Sequence, residues 1–175
     1  YGGSSSTAGY KGTFDGNGHT VANVCAKGTE LTQYGSTSIS GAGFFGSVAA
    51  NGTVKNLTVS GQMEAVQYAG GIVAALNGGR VEACTNRVNI TAENMTNKNA
   101  FTGGVVGAMI NSTSKTATVI GCKNYGTISG GTNSYLGGVV GSASYGACVE
   151  NCVNEGTVTG KTSLGGIVGR NAGVP

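Results

Sequence analysis

Short runs of β-branched and aliphatic residues, broken by glycine or asparagine, follow one another along almost the whole chain, and they recur as phrases. One phrase reads Gly70-Gly71-Ile72-Val73-Ala74, then Gly103-Gly104-Val105-Val106-Gly107, Gly137-Gly138-Val139-Val140-Gly141 and Gly165-Gly166-Ile167-Val168-Gly169, with a looser form at Gly43-Phe44-Phe45-Gly46. Its second glycines, Gly71, Gly104, Gly138 and Gly166, fall 33, 34 and 28 residues apart. A second phrase reads Val81-Glu82-Ala83-Cys84-Thr85-Asn86, Val119-Ile120-Gly121-Cys122-Lys123-Asn124 and Val149-Glu150-Asn151-Cys152-Val153-Asn154. In its earliest copy, Val54-Lys55-Asn56-Leu57, leucine stands at the cysteine position. A third contains Gly126-Thr127-Ile128 and Gly156-Thr157-Val158, with Thr58-Val59 and Asn89-Ile90 as looser counterparts.

Each period therefore holds three short strand-forming runs bounded by turn residues, and the runs lack the i, i+3, i+4, i+7 spacing of a helix. One such coil cannot bury its own apolar side chains. Stacked coils pair every strand with its neighbours and line equivalent residues into ladders. The pattern predicts an all-β parallel solenoid of about five coils, each of three short strands. Ile72, Val105, Val139 and Ile167 form one expected ladder; Leu57, Cys84, Cys122 and Cys152 form another. Asn86, Asn124 and Asn154 are expected at corners, because asparagine tolerates left-handed backbone. The variable stretches 93–100 and 111–118 become loops at one corner. Gly41-Ala42-Gly43-Phe44-Phe45-Gly46 fits the dinucleotide-binding fingerprint in letters, but no helix pattern follows it, so it reads as another repeat corner.

Composition supports a packed core and narrows the function classes. Of 175 residues 34 are glycine and one is proline; 39% are hydrophobic and 10% charged. Hydrophobic content and repeated Val/Ile pairs exclude a disordered chain, and glycine without proline or a three-residue period excludes collagen. The net charge is +3, and the ten lysines and arginines are scattered singly, so no phosphate-tracking stripe exists and no nucleic-acid partner is expected. No apolar run approaches the length of a membrane span, so no membrane insertion is expected. The expectation for residues 1–175 is a single repeat domain cut from a larger protein.

The Gly-Gly-Ile/Val-Val-Gly phrase resembles the GLUG-type repeat of bacterial surface proteins, which include adhesin-like proteins and non-catalytic regions of IgA1-specific metallopeptidases. The run from Gly12 to Val21 is similar to the first coil of pectin-lyase-like β-helices. The resemblance spans about residues 10–170 and implies a right-handed parallel β-helix at the cell surface or outside the cell. It departs at Ala74, which replaces the closing glycine, and at Val88, which stands where Gly126 and Gly156 occur.

The chemistry-bearing residues are sparse. Asp15, Glu30, Glu64, Glu82, Glu93, Glu150 and Glu155 are the whole acidic inventory, with no Asp-x-Asp and no close pair of the kind glycoside hydrolysis needs. Glu82 and Glu150 hold equivalent repeat positions and are read as solvated; Asp15 and His19 are read as turn residues. The cysteines, Cys25, Cys84, Cys122, Cys148 and Cys152, lack the paired spacing of a zinc site. Stacked Cβ atoms about 4.8 Å apart exceed disulfide range, so the ladder cysteines are expected reduced, as small apolar rungs, with Cys25 the exception to check. Neither a metal nor another cofactor is implied. The sequons at Asn51, Asn56, Asn89, Asn94 and Asn111 read as turn and strand residues, with Asn56 and Asn89 inside strands. Tyr34, Tyr68, Tyr125, Tyr135 and Tyr145 are candidates for an aromatic face that stacks on sugars; Tyr68 and Tyr135, each two residues before a Gly-Gly pair, are the ligand-facing candidates.

Three readings remain open. The first is a non-catalytic structural or adhesive module, a rigid spacer or a surface that presents a ligand, with catalysis placed elsewhere in the parent protein. The second is a carbohydrate-binding or polysaccharide-processing β-helix. The third is an ice-binding solenoid, for which only Thr113, Thr116 and Thr118 cluster. Expected partners are other domains of the parent protein, a host or environmental glycan or protein, and further copies stacked end to end.

Overall fold

The computed structural model describes residues 9–27, 41–65, 67–93, 99–110, 115–132 and 134–172. The chain winds through five coils in sequence order. The first holds β1 (Thr13–Asp15), β2 (Thr20–Lys27), β3 (Gly41–Ala42) and β4 (Phe45–Val48). The second holds β5 (Thr53–Lys55), β6 (Thr58–Ala65), β7 (Tyr68–Gly70) and β8 (Val73–Asn77), and the third β9 (Arg80–Glu82), β10 (Thr85–Ala92), β11 (Ala100–Gly103) and β12 (Val106–Ile110). In the fourth are β13 (Thr118–Ile120), β14 (Lys123–Asn124), β15 (Ile128–Gly130), β16 (Ser134–Gly137) and β17 (Val140–Ser144). The fifth has β18 (Cys148–Glu150), β19 (Val153–Asn154), β20 (Val158–Thr159), β21 (Leu164–Gly165) and β22 (Val168–Ala172).

Equivalent strands of successive coils pair in parallel and build four sheets among the described residues. The molecule is thus an all-β parallel β-helix. Register is uniform: Val54 pairs with Val81, Val81 with Val119 and Val119 with Val149. One irregularity, between Val21 and Val24 in β2, coincides with Asn23 at φ 59°.

Each coil contributes to four sheets where the sequence pattern predicts three runs. The glycine pair is the cause. It splits its run in two, so Tyr68–Gly70 and Val73–Asn77 belong to different sheets. A Cβ on the first glycine would lie 2.2 Å from the Val73 carbonyl oxygen at Gly70, 2.1 Å from that of Val106 at Gly103 and 1.9 Å from that of Val140 at Gly137. Only glycine permits so tight a reversal.

Inside, Val54, Val81, Val119, Ile72, Val105, Val139, Met63, Ile90 and Ile128 are buried in one continuous core. The Ile72 amide donates to the Val105 carbonyl (3.1 Å), Val105 to Val139 (2.9 Å) and Val139 to Ile167 (2.9 Å). Equivalent bonds link Thr85 to Leu57, Lys123 to Cys84 and Val153 to Cys122. Both sets of residues therefore lie directly over one another.

The asparagines do not occupy the corners assigned to them. Asn86 and Asn124 are fully buried and point inward from β10 and β14. The Asn86 amide nitrogen donates to Asn124 Oδ1 at 2.7 Å, and Asn124 donates to Asn154 Oδ1 at 2.8 Å. Each side chain also brackets the backbone two residues on, as Asn124 does with Gly126. An amide so enclosed must find partners of its own, and a neighbouring amide supplies both donor and acceptor. The left-handed corner falls instead at Asn56, Ala83, Gly121 and Asn151, with φ of 52°, 50°, 63° and 52°. Asn56, expected within a strand, is thus a corner residue.

Candidate functional site

The interior is packed with apolar side chains, so the chemistry-bearing groups lie on the outward faces of the four sheets and in the inward row of ladder thiols. On the sheet of β1, β5, β9, β13 and β18, Asp15, Lys55 and Glu82 stand in one column, followed by Ile120 and Glu150. Asp15 accepts from the Asn56 amide at 3.0 Å and from the Asn17 backbone at 2.9 Å, and lies 3.3 Å from Lys55. These donors, Asn56 first, hold its carboxyl below the ordinary aspartate range. Glu82 is similarly lowered by Arg80, 2.9 Å away. Glu64 pairs with Lys27 at 2.8 Å. Glu150, separated from Glu82 by Ile120, lies 3.0 Å from the Cys148 thiol. Glu30 lies outside the described residues. Among the described residues no three of His, Cys, Asp and Glu gather as a metal-holding group.

The aromatic candidates do not form one face. Tyr68 and Tyr135 share a column with Phe101, which the sequence reading missed: the centroids are 5.5 Å apart on both sides of Phe101, at 25° and 13°. Arg170 lies 5.1 Å over Tyr135 and 5.7 Å over Phe101. Ring faces that a sugar would need are thus spent on each other and on a guanidinium. Burial raises the Tyr68 phenol pKa. Tyr125 lies between β14 and β15 under Arg87, at 4.6 Å, and Tyr145 stands in the turn after β17, 64% exposed. Tyr34 lies outside the described residues. So do Asn94, Asn111 and Thr113.

A concavity of about 300 Å³ opens on the sheet of β2, β6 and β10, lined by Cys25, Lys27, Gln62, Glu64, Asn89 and Thr91 among others. Beyond it the outward columns continue as small hydroxyl residues. Ser129 pairs with Thr91 on one side and Thr159 on the other; its hydroxyl reaches Thr91 Oγ1 at 3.3 Å. Thr127 takes a backbone bond from its amide to Asn89 Oδ1 at 2.9 Å. These polar positions alternate with the buried Ile90 and Ile128, and that period of two was their signal.

The third assembly is inside. Cys84 and Cys122 are buried and Cys152 is partly buried; all five cysteines are unpaired. Each ladder thiol donates toward the carbonyl two residues earlier: Cys84 to Glu82 at 3.3 Å, Cys122 to Ile120 at 3.4 Å, Cys152 to Glu150 at 3.2 Å. Each also lies 3.7 Å from a carbonyl of the preceding coil, Val54, Val81 and Val119 respectively. The thiols therefore share one orientation. The neighbouring thiols, Cys152 first and then Cys84, together with burial push the Cys122 thiol up. Cys152, whose anion the Cys122 thiol stabilises, is lowered to about 7.

Comparison with known proteins fits this architecture. Residues 132–159, from just before β16 to the end of β20, match the GLUG motif. Halomucin of Haloquadratum walsbyi is 30% identical over 98 residues, which are 56% of this chain and 1% of that protein. Among solved structures, a candidate immunoglobulin A1 protease from Bacteroides ovatus superposes with a TM-score of 0.55 at 17% identity, over 89% of this chain and 55% of that one. The chain thus spans a small fraction of the one relative and about half of the other, and the latter likeness is one of fold. It is a parallel β-helix repeat module that carries the GLUG motif.

Proposed function

We propose that the chain is a non-catalytic module of a secreted or cell-surface protein, a rigid spacer that holds other parts of that protein apart and offers its lateral faces for contact. The observation that carries this reading is the parallel pairing of successive coils in four sheets among the described residues, with one register irregularity at Val21/Val24. A rod locked in this way resists bending, because any tilt breaks bonds in several sheets together. The engagement of Asp15, Glu64, Glu82 and Glu150 with neighbouring side chains supports the non-catalytic part. Halomucin similarity supports a surface setting, and the small share of relatives' lengths supports one segment among several.

The concavity beside Lys27 and Glu64, with its amide and hydroxyl margin, favours a second reading, a carbohydrate-binding face. A glycan array with the purified chain separates the two. The spacer reading expects no glycan retained above background. Retention of a defined glycan, lost in Gln62→Ala or Asn89→Ala, would replace the first reading with the second.

A further inference from the structure

The thiol ladder is not needed for catalysis or spacing, since Leu57 fills the same rung in the second coil. Three thiols in successive coils, aimed alike, are a chemical group that apolar packing alone does not require. Their separation is set by the strand pitch, about 4.8 Å. Direct oxidation would need the Cβ atoms to close to about 3.5–4.5 Å, which the backbone bonds from Lys123 to Cys84 and from Val153 to Cys122, both 2.9 Å, oppose. A zinc ion would want four ligands around it, and a straight row offers it two.

Two sulfurs at this pitch suit a cation that accepts ligands in line. Metal–sulfur bonds of a d¹⁰ ion are about 2.3 Å, so two laid end to end span about 4.6 Å, close to the pitch. Soft sulfur ligands select soft cations such as Cu(I). We propose that Cys122 and Cys152 form a two-coordinate site for a soft monovalent cation, held as one thiolate and one neutral thiol. The balance is M⁺ plus two thiols giving the bound pair plus one proton. The site stays electrically neutral, as an apolar interior requires, and the remaining S–H keeps a backbone carbonyl acceptor. Cys152 is the entrance, being partly exposed while Cys122 is sealed.

Silver(I) is the probe, since it does not change oxidation state. The reduced chain is mixed with silver nitrate in chloride-free buffer, passed over a desalting column with free methionine as competitor, and weighed by native mass spectrometry. The expected result is one silver retained per chain with the loss of one proton. Cys152→Ser should retain none. Cys84→Ser makes the same change in the most enclosed part of the ladder but spares the pair, and should retain one silver; so should the double variant Cys25→Ser/Cys148→Ser. Three results overturn the proposal: no silver on the unaltered chain, silver undiminished in Cys152→Ser, or silver lost with Cys25 and Cys148.

Discussion

At the scale of single residues, the corner column is informative because its members differ while their backbone does not. Asn56, Gly121 and Asn151 are residue types that accept left-handed φ; Ala83, at φ 50°, is not, and its Cβ meets the carbonyl oxygen at a cost of about 1–2 kcal/mol. Ala83→Gly should therefore raise stability by about 0.5–1 kcal/mol, net of the added freedom of the unfolded chain, read as a rise of a few degrees in melting temperature. A fall would mean that the Ala83 methyl makes contacts outweighing its strain. The amide ladder offers the opposite case. Asn124→Ala strands a donor on Asn86 and an acceptor on Asn154, and should cost about 3 kcal/mol. Removal of the Asn154 amide, at the partly exposed end, should cost visibly less by denaturant titration. Val139→Asp places a charge with no partner in the filled core and should lose more than about 4 kcal/mol or fail to fold.

At the scale of elements, the repeated glycine phrase and the repeated asparagine turn out to be parts of one joint. A Cβ on Gly71 would sit 1.9 Å from Asn86 Oδ1, and on Gly104 and Gly138 it would sit 2.4 and 2.3 Å from the Asn124 and Asn154 side-chain carbons. The second glycine of each pair makes room for the amide ladder. The closing glycine lies over the strand of the coil before: a Cβ on Gly141 would be 2.4 Å from the Thr102 amide nitrogen. Ala74 departs from this rule, and the strand beneath it begins with Gly41, where an added Cβ would be 3.0 Å from the Ala74 methyl. Gly141→Ala should consequently cost about 3 kcal/mol, whereas Ala74→Gly should cost about 1 kcal/mol or less. Equal losses by thermal melting would show that the closing position is not set by this contact.

For the whole molecule, stacking makes stability a sum over neighbouring coils. Hydrogen exchange should be slowest at the amides of Val105 and Val106, which have a coil on either side, and faster at those of Val168 and Gly169. Ionic contributions are small. The pairs of Asp15 and Glu82 are exposed and screened by solvent, so each contributes little. Their lowered carboxyl pKa values mean that what they contribute is present at neutral pH and is lost as pH falls through folded-state values that lie below the ordinary ones. The melting temperature should therefore hold nearly constant from neutral pH to about 5. Glu82→Gln should change it by less than the width of the transition; a loss of several kcal/mol would place that carboxylate in a role the geometry does not give it.

The repeat alone determined that the chain is a parallel solenoid, and it placed Ile72, Val105, Val139 and Ile167 over one another. A sequence that says the same thing every thirty-odd residues can satisfy itself only by stacking. Tertiary structure decided which way each polar side chain turned. Whether an asparagine at a strand end bends the chain or feeds an amide ladder depends on what lies above and below it, and the adjacent Ala83 and Gly121 took the bend instead. The sequence aligned Tyr68 with Tyr135, but their ring partners Phe101 and Arg170 come from other strands and were not legible in it. Periodicity is a property of the chain; hydrogen-bond and ring partners belong to neighbours that only folding brings within reach.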